Sequence, residues 1–184
     1  MLMIAVPLTL IVSLTAGVFI VRSITGAMFP SEVTDVGQYD EILSDWRPTG
    51  QVDHFPIAIP AQANNVRLSS FPGFLQGGAH FQVRMELPRD EVQALALQIG
   101  HHAIHRYTGG GMFDHYNDDQ QGNVPTTWFH TSAVSTQPAP FPDHYTLFVL
   151  DARDHASGAW NHGRTSGIAI STANSEVIYW AESW

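Results

Sequence analysis

Residues 80–87 read His-Phe-Gln-Val-Arg-Met-Glu-Leu, and polar and apolar side chains alternate through the whole stretch. Because successive side chains of a β-strand point to opposite faces, this pattern is typical of a half-buried antiparallel strand. Residues 66–71 are predicted to pair with it, since Pro72 and Gly73 supply turn chemistry between the two segments. The sequence therefore predicts an antiparallel β-hairpin.

A helix is predicted directly after this strand. Pro88 suits the first position of a helix, and Asp90 and Glu91 lie in the first turn, where negative charge interacts favourably with the helix dipole. Apolar side chains then recur on one face at positions 92, 95, 99 and 103. We expect this helix to end near Tyr107, before the glycines 109–111.

The C-terminal forty residues carry the clearest sheet signal. Segments 145–150, 167–171 and 176–181 are rich in apolar and strand-favouring residues, and residues 172–175 have hairpin turn chemistry. The predicted fold class is therefore α+β, with an antiparallel sheet of about five strands and one main helix packed on one face.

Residues 1–21 contain no charged side chain, and a helix of that length spans about 30 Å, the thickness of a bilayer core. A cleaved signal peptide is the alternative, but this stretch lacks a basic start and exceeds the usual apolar length. We predict a single N-terminal transmembrane anchor over 1–29, a juxtamembrane linker over 30–50 and a domain over 51–184.

The orientation in the membrane depends on two opposing signals. Arg22 alone would keep the domain in the cytoplasm by the positive-inside tendency, whereas a long acidic domain can cross the membrane regardless of charge. We expect the N-terminus in the cytoplasm and an extracytoplasmic, periplasmic domain.

Composition excludes several function classes. Eight basic residues, all Arg, against seventeen carboxylates give a net charge of −9, which disfavours nucleic-acid binding because that binding neutralises phosphates. Without cysteine the chain has no disulfide, no thiolate metal site and no lipobox-type lipid anchor. The partners we expect are the lipid bilayer and other protein subunits, and not nucleic acid.

The histidines suggest one candidate metal site. His101 and His105 lie four residues apart on the predicted helix, and His115 follows beside three Asp residues. Against this reading, the spacing lacks the Glu of a zincin helix, and a helix end favours histidine without any metal. We expect no cofactor, and a metal ion held by His101, His105 and His115 is the alternative.

The connection 151–164 combines two acids, two histidines and two arginines. In a hydrolase His162 could act as a base, oriented by Asp151 or Asp154. The sequence offers no serine in a G-x-S-x-G elbow, so a polar hairpin loop is the preferred interpretation.

Six residues are predicted to contact a partner. Gly17 offers a close-approach point to another helix, and Tyr39 and Trp46 lie on one face of an amphipathic segment. Phe74 and Leu75 lie in a Pro- and Gly-containing loop, and Trp184 is the terminal residue. Alternatively, the segment around Tyr39 covers an edge of the domain and Trp184 packs in the core.

Together these features predict a non-catalytic accessory subunit of a larger membrane protein complex, with an acidic domain that caps its extracytoplasmic side. A photosynthetic or respiratory energy-converting complex is the expected kind. The alternatives are a membrane-anchored histidine-rich metal-binding protein or hydrolase, and an envelope binding module that uses the loops 71–78 and 112–144.

Overall fold

A six-stranded antiparallel sheet forms the centre of the structure, a computed structural model that describes residues 30–73, 78–110, 126–132, 139–153 and 163–184. Its strands are β1 (Asn64–Phe71), β2 (Ala79–Glu86), β3 (His105–Thr108), β4 (Thr146–Arg153), β5 (Arg164–Ser171) and β6 (Glu176–Ser183). They lie side by side in the order β1-β2-β6-β5-β4-β3. The described residues also contain two short α-helices, α1 (Tyr39–Trp46) and α2 (Arg89–Gly100).

Strand β2 has the alternation that the sequence predicted. Phe81, Val83 and Met85 are fully buried on the face that the helices cover, whereas Gln82 and Arg84 lie on the opposite face. The strand pairs with β1 on one side and with β6 on the other. The predicted hairpin is confirmed, and β2 lies inside the sheet.

The helix-covered face contains the larger core. On α1, Tyr39 and Leu43 are buried against the sheet, and the Tyr39 hydroxyl donates a hydrogen bond of 2.6 Å to the carbonyl of Pro56. The ring of Phe55 stacks on Phe81 with 4.8 Å between centroids. The segment 39–46 therefore covers the β1–β2–β6 side of the sheet.

The opposite face is covered by irregular chain. Residues 126–132, called the strap below, cross β2 and are joined to residue Ala139 by backbone pairing at Phe129. Beneath them a second apolar cluster forms around Tyr145, Ile178 and Trp180. The sheet is therefore buried on both faces over its central strands, which accounts for the full burial of β5 and β6 residues on both sides.

The predicted fold class was wrong, because the structure is mostly a six-stranded sheet with short helices. Helix α2 ends at Gly100, and the amide of Ile104 already donates to the carbonyl of Val149 at 2.8 Å. Residues 105–108 therefore form a strand on β4, where the helical spacing of Ala103 had suggested a longer helix. Within the described ranges no helix has the length and apolar character to cross a membrane, and the predicted span 1–29 lies outside those ranges.

Gly167 provides a test of the sheet packing. A Cβ at this position would lie 2.1 Å from the Phe148 carbonyl oxygen and 2.6 Å from the Trp180 ring, so the backbone itself would have to move. We expect Gly167→Ala to lower the free energy of unfolding by about 1–3 kcal/mol in urea denaturation.

Gly100→Ala is the matched control. Its added Cβ would meet a Phe148 side-chain carbon at 3.9 Å, an ordinary contact, and alanine favours a helix over glycine. Equal stability of Gly167→Ala and wild type would contradict the close packing of β5 between β4 and the Trp180 ring.

Candidate functional site

A groove opens between α2 and the β3–β4–β5 end of the sheet, with a volume of about 520 Å³. It exists because α2 lies over only part of the sheet, so the side chains of the outer strands are left beside it. Its size is within the range of cavities that bind small molecules or inserted side chains. The lining residues come from α2, three strands and two turns: Gln93, Ala96, Leu97, Arg106, His144, Thr146, Phe148, Ile170 and Thr172.

One face of α2 forms a wall of this groove. Gln93, Ala96 and Leu97 follow helical spacing of three and four residues, whereas Val92 and Ile99 point into the core. Leu97 is 72% exposed and lies next to an apolar floor, so the two form one continuous apolar surface. The floor contains Phe148 and Ile170, both almost fully buried. An apolar occupant could therefore cover Leu97 and fill the groove.

Arg106 gives the groove its positive charge. Its guanidinium carbon lies 5.4 Å from the centroid of the Phe148 ring, a cation–π arrangement. His144 also lines the groove. Its Nε2 atom lies 3.0 Å from the Asn174 amide nitrogen, and its Nδ1 atom lies 3.7 Å from the Asp143 carboxylate. The described lining residues combine apolar surface with a cation, and none of them carries a carboxylate.

The strap is held to the polar face of β2 by Gln82. The amide nitrogen of Gln82 donates to the Trp128 carbonyl at 2.9 Å, and its amide oxygen accepts from the Thr131 backbone and hydroxyl at 2.9 and 2.8 Å. Gln82 is fully buried, so these bonds satisfy a group that would otherwise be costly to bury. The polar face of β2 thus has a structural use.

A chain of polar side chains runs beside the strap. The Ser69 hydroxyl donates to Glu32 at 2.6 Å and lies 2.7 Å from His80 Nε2, so the imidazole donates to the hydroxyl. The His80 ring stacks on His130 with 3.6 Å between centroids, and His130 lies 3.8 Å from Glu182. In this arrangement His80 does not accept the serine proton, so Ser69 is not set up as a nucleophile.

The protonation of His80 depends on this burial. Burial lowers the pKa of the His80 imidazole from its ordinary value to about 3, with the neighbouring His130 acting in the same direction and Glu182 opposing it. The ring is therefore neutral near pH 7 and stacks without charge repulsion.

A buried ion pair lies further along the same face. Arg84 donates to Glu176, and the Tyr145 hydroxyl donates to the other oxygen of the same carboxylate. Burial opposes ionisation of this carboxyl, but the hydrogen bonds from Arg84 and Tyr145 outweigh it and hold the pKa of Glu176 below its ordinary value. This cluster links β2, β6 and the residue before β4.

The histidines of the predicted metal site have separate positions. His101 follows the last residue of α2, and its backbone amide donates to the Gln98 carbonyl at 3.3 Å. His105 begins β3, where its ring stacks near Tyr107, and His115 lies outside the described residues. In the part of the chain that the structure describes, no three His, Cys, Asp or Glu side chains are arranged to hold a metal ion. Because His115 is outside it, the metal site stays a prediction.

The predicted hydrolase residues are likewise only partly described. Asp151 pairs with Arg153, whose Nε atom is 3.0 Å from its carboxylate, and Asp154 and His162 lie outside the described residues.

The predicted partner-contact residues fall into two groups. Tyr39 is 2% exposed, and Trp46 packs against the core with its ring 6.2 Å from Phe81. Trp184 is half-buried, and its amide donates to the Gly163 carbonyl at 3.0 Å. Gly17, Phe74 and Leu75 lie outside the described residues. Contact of any of these residues with a partner stays a prediction.

Sequence reasoning did not identify the groove. Arg106 and Leu97 are nine residues apart, but only the end of α2 at Gly100 and the turn into β3 place them on one surface. The alternation of His105–Thr108 was the available signal, and it was too short to distinguish a strand from a helix end.

No family model, curated protein or solved structure matches this chain.

The burial of His80 generates a pH test. An unfolded histidine takes up a proton near pH 6.5, whereas folded His80 stays neutral down to about pH 3, so acid favours the unfolded state between these values. We expect the free energy of unfolding to fall as the pH drops through this window. His80→Gln should lessen that fall by about 1.4 kcal/mol for each pH unit.

Urea denaturation from pH 7 to pH 4 checks this expectation. The control His101→Gln removes an exposed histidine at the end of α2. An unchanged pH slope in His80→Gln would contradict the assignment of His80 as a buried neutral group.

The Arg84–Glu176 pair gives a second stability test. Glu176→Gln keeps the side-chain shape but leaves Arg84 buried without its counter-charge, and we expect a loss of about 3–5 kcal/mol at pH 7. Asp151→Asn is the control, because its pair with Arg153 is partly exposed and should contribute less than about 1 kcal/mol. A small effect of Glu176→Gln would show that this cluster does not hold β2 to β6.

Proposed function

We propose that this chain is a non-catalytic accessory subunit that binds another protein of a larger membrane complex through the groove beside α2. One observation supports this above all. Leu97 projects from α2 with 72% of its surface exposed, next to an open groove whose floor is formed by Phe148 and Ile170. Burying such a side chain against a partner is favourable by about 25 cal/mol for each Å² of apolar surface removed from water.

The construction of the groove suits binding of a protein segment. One wall of the groove is α2, whose other face is buried in the core through Val92 and Ile99. The helix is therefore held in place before a partner binds. The lining mixes apolar and polar side chains, as protein interfaces do.

The membrane complex is part of the proposal because of the uncharged stretch 1–21. In this arrangement the acidic domain lies on the extracytoplasmic side, and a photosynthetic or respiratory complex is the class of assembly to test first.

Purification of the tagged full chain from native membranes in mild detergent tests the proposal. We expect a stoichiometric partner protein by mass spectrometry, and we expect Leu97→Asp to lose it, since a charge in the groove would have to be desolvated on binding. Ile57→Asp is the matched control, because Ile57 is 83% exposed but does not line the groove.

Photocrosslinking tests whether the contact is direct. A benzophenone amino acid at position 97 should crosslink to the same partner, and one at position 57 should not. A chain that purifies alone, or a partner retained by Leu97→Asp, would contradict the proposal. An absorption spectrum of the purified assembly would show whether it carries pigments or haem.

A further inference from the structure

The groove has the opposite charge character to the rest of the protein. The chain has seventeen acidic residues against eight arginines, yet the part of the groove lining that the structure describes contains Arg106 and His144 and no Asp or Glu. An acidic surface around a small positive site guides negatively charged groups to that site and repels them elsewhere. The groove is therefore selective for charge as well as for apolar surface.

Arg106 is the group that can make this selection. Among the described residues Arg84 and Arg153 each form an ion pair with a carboxylate, whereas Arg106 forms none. Its cation–π contact with Phe148 orients the guanidinium beside the apolar floor and leaves its N–H groups for another acceptor. A carboxylate matches the planar fork of these donors.

His144 contributes less to this selection. Asp143 lies 3.7 Å from its Nδ1 atom and is 89% exposed in its side chain, so a positive charge on His144 would be partly compensated. The charge preference of the groove thus depends mainly on Arg106.

The apolar residues lie close to this cation. Phe148 contacts Arg106 and also forms the floor with Ile170, while Leu97 stands on the opposite wall. A complementary occupant carries an apolar side chain and a carboxylate within a few residues of each other.

We infer, resting on the proposed function, that the partner protein inserts an acidic-apolar segment into the groove, with a carboxylate paired to Arg106 and an apolar side chain packed between Leu97 and Phe148. Neutral and basic segments would leave Arg106 without a counter-charge and would bind less tightly. The partner is thus defined by its chemistry: a protein with an exposed Asp or Glu next to a large apolar residue.

The co-purification experiment distinguishes this inference from the proposed function. We expect Arg106→Glu to lose the partner and Arg106→Lys to keep part of it, while Arg67→Glu, an exposed arginine on the far edge strand β1, keeps all of it. If Leu97→Asp loses the partner but Arg106→Glu keeps it, the carboxylate inference is overturned and the accessory-subunit proposal stands. If both variants keep the partner, the proposed function itself is overturned.

A binding measurement with defined probes tests the charge preference directly. Acetyl-Leu-Glu-Leu-amide and its neutral counterpart acetyl-Leu-Gln-Leu-amide are titrated into the full chain, with the methyl NMR signals of Leu97 and Ile170 as the readout. We expect the Glu probe to bind about three- to tenfold more tightly, and we expect Arg106→Gln to remove that difference. Equal affinities of the two probes for the wild type, or a preference that persists in Arg106→Gln, would overturn the inference.

Discussion

The pairing of β2 with β6 is the interaction on which the rest of this structure depends. It runs in unbroken register from Ala79↔Ser183 to Glu86↔Glu176 and joins segments about a hundred residues apart. On one side of it lies the β1–β2 hairpin, and on the other lie β5, β4 and β3. The Arg84–Glu176 ion pair crosses from β2 to β6 and adds a side-chain contact to this pairing. The β2–β6 pairing therefore joins the two halves of the sheet.

The two faces of that sheet have different consequences for function. One face is apolar under α1 and α2, and because α2 is short it leaves the β3–β4–β5 end beside an open groove. The other face has polar side chains that the strap covers and satisfies, chiefly through Gln82. Ionisable groups there are used for structure: His80 is kept neutral and Glu176 is kept charged, each by its surroundings. The exposed charge of Arg106, by contrast, lines the open groove.

The groove combines an exposed apolar side chain on a fixed helix with a cation that the core holds in one orientation. Val92 and Ile99 fix α2 to the core, so Leu97 is presented from a rigid helix. Phe148 serves both as part of the core and as the platform under Arg106, so the cation is oriented by the same packing that holds the sheet together. The packing of the sheet and the proposed recognition by the groove therefore share residues, and weakening of β4 would be expected to affect both.

The sequence by itself determined those secondary-structure elements whose signals lie in residues adjacent along the chain. The alternation of 80–87, the start of a helix directly after Pro88 and the presence of three C-terminal strands are local patterns, and the structure contains each of them, although the strands differ from the predicted bounds by up to three residues. The end of α2 was predicted wrongly, because the four residues His105–Thr108 are too few for their pattern to distinguish a strand from a helical turn. The tertiary structure alone decided that His105–Thr108 pairs with β4, that His80 stacks on His130, and that Leu97 and Arg106 line one groove. These arrangements depend on contacts between segments far apart in the chain, whose energies no local pattern of side chains contains.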